Sequence, residues 1–362
     1  MEDIFQKFFC GKKILITGHT GFKGSWLTIW LNALGAKIIG FSIDSGDKKG
    51  NFRLTNIGDK IYSDIRGNIQ NFIEIEKVFK KYQPEIVFHL AALPLVVESY
   101  KYPLETWKTN VIGTLNVLEC IRKSPSVKVG IIVSSDKCYE NTKEGYVYKE
   151  TDRLGGYDPY SSSKAAVEIA LSSWRNSFFK QNNLKSISSV RAGNVIGGGD
   201  WAKHRIIPDC VRNIESNKDI IIRSPLSIRP WQFVLEPLRG YMQLVKKMWE
   251  NPANYNSAWN FGPRTQEIIT VKELVEKFIR YYGGGTYQEI INTNNFVESK
   301  SLILDCTKIE NSIGWLPILN IEEAIKFTAK WYLSYKETNT LDLCLTQLNE
   351  YSDLYKKYES NS

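Results

Sequence analysis

Histidine is scarce in this chain: three in 362 residues, against 39 Asp+Glu and 47 Lys+Arg. Cysteine is little better represented. The six (Cys10, Cys120, Cys138, Cys210, Cys306 and Cys344) form no C-x-x-C pair and have no histidine at ligand spacing. That pattern gives no support to a metal centre or a disulfide framework, and no metal is expected. No apolar run approaches the ~18 residues of a membrane span. The first residues, MEDIFQKFFCGKK, lack the basic lead, apolar stretch and small-residue cleavage site of a signal peptide, so a cytoplasmic protein with no membrane partner is expected. The formal charge of +8 is spread without a basic block or tail, so no nucleic-acid partner is expected. An anionic small molecule suits that mild excess equally well. No internal repeat is present.

What is present is an alternation. Short apolar runs at 13–17, 36–43, 60–65, 85–90 and 129–133 read as strands, with helical spacing in 25–34, around Phe72, Ile75, Val78 and Phe79, and over 103–123. Apolar strands alternating with helices predict βαβ units and a parallel sheet covered on both faces. Helices are also expected over 159–181, 207–216, 237–249, 271–282 and 321–335, the last of them the final clear amphipathic segment, with strands at 187–195 and 219–223. Residues 359–362 read as a frayed end. Trp26, Trp30 and Leu34 are spaced for one buried helix face. The fold class expected is α/β, a doubly wound parallel-sheet Rossmann domain with a smaller mixed C-terminal substrate lobe. Residues 1–200 form the dinucleotide-binding domain, with later returns at about 229–265, and residues 201–358 form mainly the substrate lobe.

The first strand runs into Thr17-Gly-His-Thr-Gly-Phe-Lys-Gly24, and a helix opens at once. Gly18, Gly21 and Gly24 let backbone amides approach a pyrophosphate, which the helix N-terminus then favours through its free N–H groups and dipole. His19, Thr20, Phe22 and Lys23 belong to the same turn. Asp44 lies about 20 residues beyond the last glycine, where an acid binds adenosine ribose hydroxyls, so NAD is the cofactor expected. Lys23 and Arg53 leave room for a 2′-phosphate. Asp64 and Ile65, closing the third strand, are candidate adenine contacts. Leu90, Ala91 and Ala92, closing the fourth, can approach the cofactor closely.

Tyr160-Ser-Ser-Ser-Lys164 sits at a helix start after Asp158-Pro159. Residues four apart share a helix face, so the Lys164 ammonium can lie near the Tyr160 phenol and favour phenolate. Such a tyrosine accepts the proton of an alcohol while hydride leaves for a nicotinamide. Ser134-Ser135-Asp136-Lys137-Cys138-Tyr139 follows a buried strand at its carboxyl end, where open α/β sheets place ligands. Arg229, in Ile228-Arg-Pro-Trp-Gln-Phe233, fits a guanidinium clamp on phosphates, with Arg205 assisting from the loop after Trp201. Trp201 and Trp231 could each stack on a base or belong to the core.

Together these features resemble the extended short-chain dehydrogenase/reductase family over nearly the whole chain, including Ile313-Gly-Trp-Leu-Pro317 and the helix that ends at Trp331-Tyr332. Within that family, Thr17-Gly-His-Thr-Gly-Phe-Lys-Gly-Ser-Trp26 and Arg191-Ala-Gly-Asn-Val-Ile-Gly-Gly-Gly-Asp-Trp201 are similar to the CDP-glucose 4,6-dehydratases. So is Asp136-Lys137, which stands where dTDP-glucose dehydratases carry Asp-Glu. The resemblance implies that Ser134 and Ser135 flank the reacting sugar with Tyr160 and Lys164. It further implies that Asp136 protonates the departing C6 hydroxyl, that Lys137 takes the C5 proton, and that Asn194 contacts the nucleotide diphosphate. It implies NAD as cofactor, CDP-glucose as the nucleotide-sugar substrate, a homodimer or dimer of dimers through the 103–123 and 159–181 helices, and a role in bacterial surface polysaccharide. Another nucleotide sugar, a 4-epimerase, or a dinucleotide-sensing binding protein on the same scaffold are the alternatives.

Overall fold

The computed structural model describes residues 5–44, 46–141, 145–179, 185–290 and 302–361. Its centre is a sheet of seven strands: β1 (Lys13–Thr17), β2 (Lys37–Ser42), β3 (Ser63–Arg66), β4 (Ile86–His89), β5 (Val129–Val133), β6 (Ser186–Ala192) and β7 (Ala258–Phe261). They run in the order β7-β6-β5-β4-β1-β2-β3, all parallel. Register places Thr17 beside Phe41 on one side and His89 on the other. The strands are apolar on both faces because both are covered. Ile14 and Ile16 of β1 face a core that includes Trp26, Trp30 and the C-terminal helices, while Leu15 between them faces Ile39, Val87 and Ile121.

The main helices are α1 (Phe22–Ala33), α2 (Phe72–Tyr82), α3 (Gly113–Lys123), α4 (Pro159–Trp174), α5 (Ile206–Glu215), α6 (Leu235–Glu250), α7 (Val271–Tyr282), α8 (Ile321–Ser334) and α9 (Thr340–Asn361). Their ends follow local chemistry. The Asn71 side chain caps α2 by accepting from Ile73 and Glu74 N–H, and capping boxes Thr270/Glu273 and Asn320/Glu323 start α7 and α8. Gly283 ends α7 in the left-handed region. Trp26, Trp30 and Leu34 are buried, as their spacing predicts.

Several boundaries differ from the sequence reading. The helix expected over 103–123 is Pro103–Trp107, a π-helical turn Lys108–Ile112, and then α3. The π-turn carries Asn110, whose amide is tied to Leu93 N–H and C=O at 2.8 and 3.1 Å, an insertion into the ladder that periodicity does not show. The helix expected over 159–181 is α4 followed by a second π segment, Arg175–Phe179, and its expected end at 181 lies outside the described residues. The chain end does not fray after 358: α9 runs to Asn361. Its buried stripe (Cys344, Gln347, Leu348, Tyr351) is part polar, which hides its amphipathic period.

Candidate functional site

The turn after β1 is built to bring backbone against a ligand. Gly18 has φ +73°, and a Cβ there would lie 2.7 Å from Ala91 N and 2.9 Å from Leu90 C, so the β1 turn is wedged against the end of β4. A Cβ on Gly24 would come within 2.1 Å of Gly18 O. Gly21 is the N-cap of α1, in extended conformation, and leaves the first amides of that helix open. The cradle and helix N-terminus at the β1–β4 reversal of strand order fit a dinucleotide pyrophosphate. Ala91 N–H donates to Thr17 Oγ1 at 3.3 Å, which holds Leu90-Ala-Ala92 beside the turn. Thr20 is buried, and its amide reaches Ser42 Oγ at 3.5 Å. Phe22 packs beneath Gly197.

His19 is turned inward. Its ring bonds Ser42 Oγ at 2.9 Å and Asp64 Oδ1 at 2.7 Å, filling the space beside Gly40. Asp64, the candidate adenine contact, also accepts on its other oxygen from Arg66 at 2.6 Å. Burial raises its pKa, but the hydrogen bond and charge of His19 together with Arg66 outweigh that and hold the carboxyl below its ordinary value. Ile65 is half-buried beside it. Asp44 lies two residues past the end of β2, exposed, and accepts from Gly46 N–H at 2.9 Å.

The reaction pocket lies at the carboxyl ends of β5 and β6. Ser134, Ser135 and Asp136 are buried, and Ser134 Oγ is a buried hydroxyl without a hydrogen-bond partner in the fold, as expected of a group that meets a ligand. Ser135 Oγ donates to Asp136 Oδ1 at 2.9 Å and accepts from Lys137 N–H at 3.2 Å. Gly193 lies close by: a Cβ there would stand 3.3 Å from Asp136 Oδ2. Lys137 is half-buried, and its backbone N–H is held by Ser135 Oγ. Tyr160 opens α4 behind the Asp158 cap. Burial pushes its phenol up to about 12; Ser135 and Arg205 pull it down, while Asp136 and Asp158 push it up. The Lys164 amine donates to Val133 O at 3.1 Å, and burial brings it down to about 8 against support from Glu168.

Lys23, in the glycine turn, lies within electrostatic reach of Arg205, Asp136 and Lys164: desolvation by burial, then Arg205 and Lys164, lower its amine to about 8, while Asp136 opposes them. Arg205 is held by Asp200 at 2.8 Å and is charged. Trp201 is not placed to stack on a base: it is buried, edge-on to Tyr332 (5.3 Å), against Tyr335, with Lys49 over its ring. Trp231 is likewise core. Asn194 contributes its carbonyl to Gln232 N–H, and its side chain is half-buried. Arg229 is half-buried and donates to Ile228 O at 3.0 Å. The structure thus brings Ser134, Ser135, Asp136, Tyr160, Lys164, Lys23 and Arg205 to one place.

Beneath that pocket lies a polar layer that sequence reasoning missed. Glu168 and Arg191 form a buried ion pair at 2.7 Å, extended by Ser189, Tyr139 and Asn260. Burial raises the Glu168 carboxyl, but Arg191 outweighs it and the group stays ionised. His89 links Thr17 (2.7 Å) to Thr114 (2.9 Å) and is kept neutral, with burial and Lys164 lowering it to about 3. The one sequence signal for Glu168 was its position four residues after Lys164.

Comparison with known proteins gives the family and the fold. The family model for GDP-mannose 4,6 dehydratase matches residues 15–328. The chain is 41% identical over 345 residues to a CDP-glucose 4,6-dehydratase of Salmonella typhimurium, covering 94% of this chain and 96% of that one. It is 28% identical to a dTDP-glucose 4,6-dehydratase of Neisseria gonorrhoeae, over 90% of this chain and 96% of the relative. Among solved structures, a dTDP-glucose 4,6-dehydratase of Bacillus anthracis in complex with NAD superposes with TM-score 0.74 at 25% identity, over 89% and 96% of the two chains. A UDP-glucose 4-epimerase of Thermotoga maritima shares the fold with TM-score 0.77 at 23% identity, over 90% and 100%.

Proposed function

The chain belongs to the GDP-mannose 4,6-dehydratase family, within the extended short-chain dehydrogenases/reductases, and on that premise we propose that it dehydrates CDP-glucose to CDP-4-keto-6-deoxyglucose with NAD as cofactor. The observation that carries the reading is the Asp136-Lys137 pair at the carboxyl end of β5, with Asp136 buried within electrostatic reach of Tyr160, on a chain 41% identical to a CDP-glucose 4,6-dehydratase.

The glycine cradle at 18–24 would hold the NAD pyrophosphate, with Leu90-Ala-Ala92 along its path. When bound, NAD accepts hydride from C4 of the sugar and returns it to C6. The protein's own groups do the proton work. Tyr160, as phenolate, takes the O4 proton, and Ser134 Oγ orients that hydroxyl. Oxidation at C4 acidifies the C5 hydrogen, which Lys137 removes while Asp136 protonates the leaving C6 hydroxyl. Burial of these groups keeps bulk water from the reactive intermediate. Asn194, Arg205 and Arg229 serve the diphosphate.

A homodimer is part of the proposal. Leu104, Trp107, Ile112, Ile169 and Phe178 leave 76%, 39%, 48%, 60% and 45% of their surface open on the helical stretches 103–112 and 159–179, apolar surface that a partner subunit would cover. The described cysteines are all free, and among the described residues no helix is long and apolar enough to cross a membrane, which suits action in the cytoplasm.

The test is proton NMR of the purified protein in D₂O with CDP-glucose and catalytic NAD⁺, with dTDP-glucose, UDP-glucose and GDP-mannose in parallel. A new C6 methyl signal with deuterium at C5, from CDP-glucose and without net NADH, is expected. Recovery of the C4 epimer, or no change with any donor, refutes the proposal.

A further inference from the structure

The groups assigned to the reaction sit on two different elements. Tyr160 and Lys164 are on α4, and Glu168 continues the same face one turn further on. Asp136 and Lys137 are on the short turn after β5. Ser134 still belongs to the sheet, its N–H donating to Val190 O at 2.9 Å, but the turn beyond it does not. Bonds within the turn, from Lys137 N–H to Ser135 Oγ (3.2 Å) and from Tyr139 N–H to Asp136 O (3.3 Å), fix its shape and not its distance from α4. Gly155 N–H to Cys138 O and Glu140 N–H to Arg153 O, both 2.9 Å, tie it to the 153–155 segment.

The side chain that reaches from the turn toward α4 is Tyr139. Its hydroxyl accepts from Arg191 Nη1 at 2.8 Å, and Arg191 Nη2 donates to Glu168 Oε2 at 2.7 Å. On its other side the hydroxyl donates to Asn260 Oδ1 at 2.7 Å. Every direction in this chain is fixed. Asn260 commits its Nδ2 to Tyr148 O (2.9 Å) and Asp305 O (3.2 Å), so the oxygen it turns to Tyr139 can only accept. Arginine can only donate, and a tyrosine hydroxyl does both. Burial raises the Tyr139 phenol above its ordinary value, which keeps the proton that this donation needs. Tyr139, Arg191, Glu168 and Asn260 are each 3% exposed or less, so water does not compete for these bonds.

We propose that the Tyr139 hydroxyl positions the elimination step: linked through Arg191 to Glu168, it holds the Asp136-Lys137 turn in place relative to the α4 face of Tyr160 and Lys164. The inference rests on the roles that the proposed function gives Asp136 and Lys137. The Tyr139 ring stacks on Tyr148 (5.2 Å) and lies under the Arg191 guanidinium (4.9 Å), so Tyr139→Phe keeps the packing and removes only the strut. Tyr351, on α9, is a control of the same chemistry elsewhere, its hydroxyl accepting from Arg239 Nε at 2.9 Å and donating to Glu236 Oε2 at 2.8 Å.

In ligand-free protein, Tyr139→Phe should speed amide hydrogen exchange at residues 137–139 while α4 keeps its protection, and Tyr351→Phe should not. With CDP-glucose and NAD⁺ in D₂O, deuterium at C5 and the C6 methyl should appear about tenfold more slowly in Tyr139→Phe, short of the roughly hundredfold that a 1 Å misplacement costs. C4 oxidation, read as NADH absorbance, should keep its rate and KM, so NADH accumulates. Tyr351→Phe should lose stability to urea and leave the ratio of the two steps as in wild type. An unchanged ratio in Tyr139→Phe, or exchange at 137–139 no faster than in wild type, overturns the proposal and leaves Tyr139 as a packing residue. If wild-type protein oxidises no CDP-glucose, the proposed function fails, while the exchange measurement still judges the strut by itself.

Discussion

Replacing Glu168 by Gln should separate how the layer under the pocket supports the fold from how it supports the chemistry. The Glu168 carboxylate is 0% exposed and the Arg191 guanidinium 3%, at 2.7 Å, so neither charge has water to fall back on. Removing one partner of such a pair typically costs about 3–5 kcal/mol. Gln keeps the shape and can still accept from Ser189, and Arg191 keeps Tyr139 Oη and Glu150 O as acceptors. The expected loss therefore lies at the lower end, about 3 kcal/mol. Urea unfolding of Glu168→Gln, Arg191→Met and the double variant gives the coupling directly, and the double variant should be more stable than the sum of the two losses predicts. The catalytic consequence follows from sign. Burial already brings Lys164 down to about 8, and Glu168 is the leading influence holding it up. Without that carboxylate Lys164 loses its proton at lower pH, so the basic limb of the kcat profile should move down. A stability loss below ~0.5 kcal/mol, in the range of an exposed pair, with an unmoved basic limb, would refute both parts of the reasoning.

Three further outcomes are expected. Gly24→Ala places a Cβ 2.1 Å from Gly18 O and 2.8 Å from His19 Cα; opening the turn to relieve it should cost about 1–3 kcal/mol and weaken NAD binding about tenfold or more, tenfold being 1.4 kcal/mol, as read by calorimetric titration of NAD and by thermal melting. Lys137→Ala should retain C4 oxidation, seen as transient NADH absorbance with CDP-glucose, while losing deuterium incorporation at C5; normal turnover would remove Lys137 from the mechanism. His89 is held at about 3 in the fold against 6.5 unfolded, so the unfolded state binds the extra proton between those values. Stability should therefore fall as pH drops through that window, by up to about 1.4 kcal/mol per pH unit, and urea midpoints of His89→Asn should show a shallower acid slope than wild type.

Much of this scaffold is legible from the chain alone. Ile14-Leu-Ile16 and its counterparts in β2, β4 and β5 are continuous apolar runs, and only a sheet buried on both faces gives all of them a home. Gly18, Gly21 and Gly24 could be placed because their chemistry is backbone chemistry and depends on order along the chain. The π-turn at Lys108–Ile112 was not legible, since a single inserted residue leaves the apolar spacing of its neighbours nearly intact. The α9 stripe was missed because Gln347 and Tyr351 fill core positions as hydrogen-bonding groups, Gln347 to Phe327 O and Tyr351 to Glu236.

The site divides along the same line. Tyr160 and Lys164 share a helix, and Ser134, Ser135 and Asp136 share a turn, so spacing finds them. Lys23 and Arg205 enter the pocket from α1 and from the start of α5, some 180 residues apart in sequence, and nothing local marks either as facing Asp136 or Tyr160. Lys23 belongs to the glycine turn, yet its amine lies within electrostatic reach of Asp136, Arg205 and Lys164, which its place in that turn does not announce. The consequence is chemical. Lys23, Lys164 and Arg205 set three cationic side chains around Asp136 and Tyr160, each weakened or held by a different partner: desolvation for Lys23, Glu168 for Lys164, Asp200 for Arg205. A phenol pushed to about 12 by burial can serve as a base near neutral pH only if such charges are already in place when the sugar arrives. On the proposed chemistry the buried carboxylates of Glu168 and Asp200 matter alongside the residues that would touch the substrate, because Glu168 supports the Lys164 ammonium and Asp200 holds Arg205.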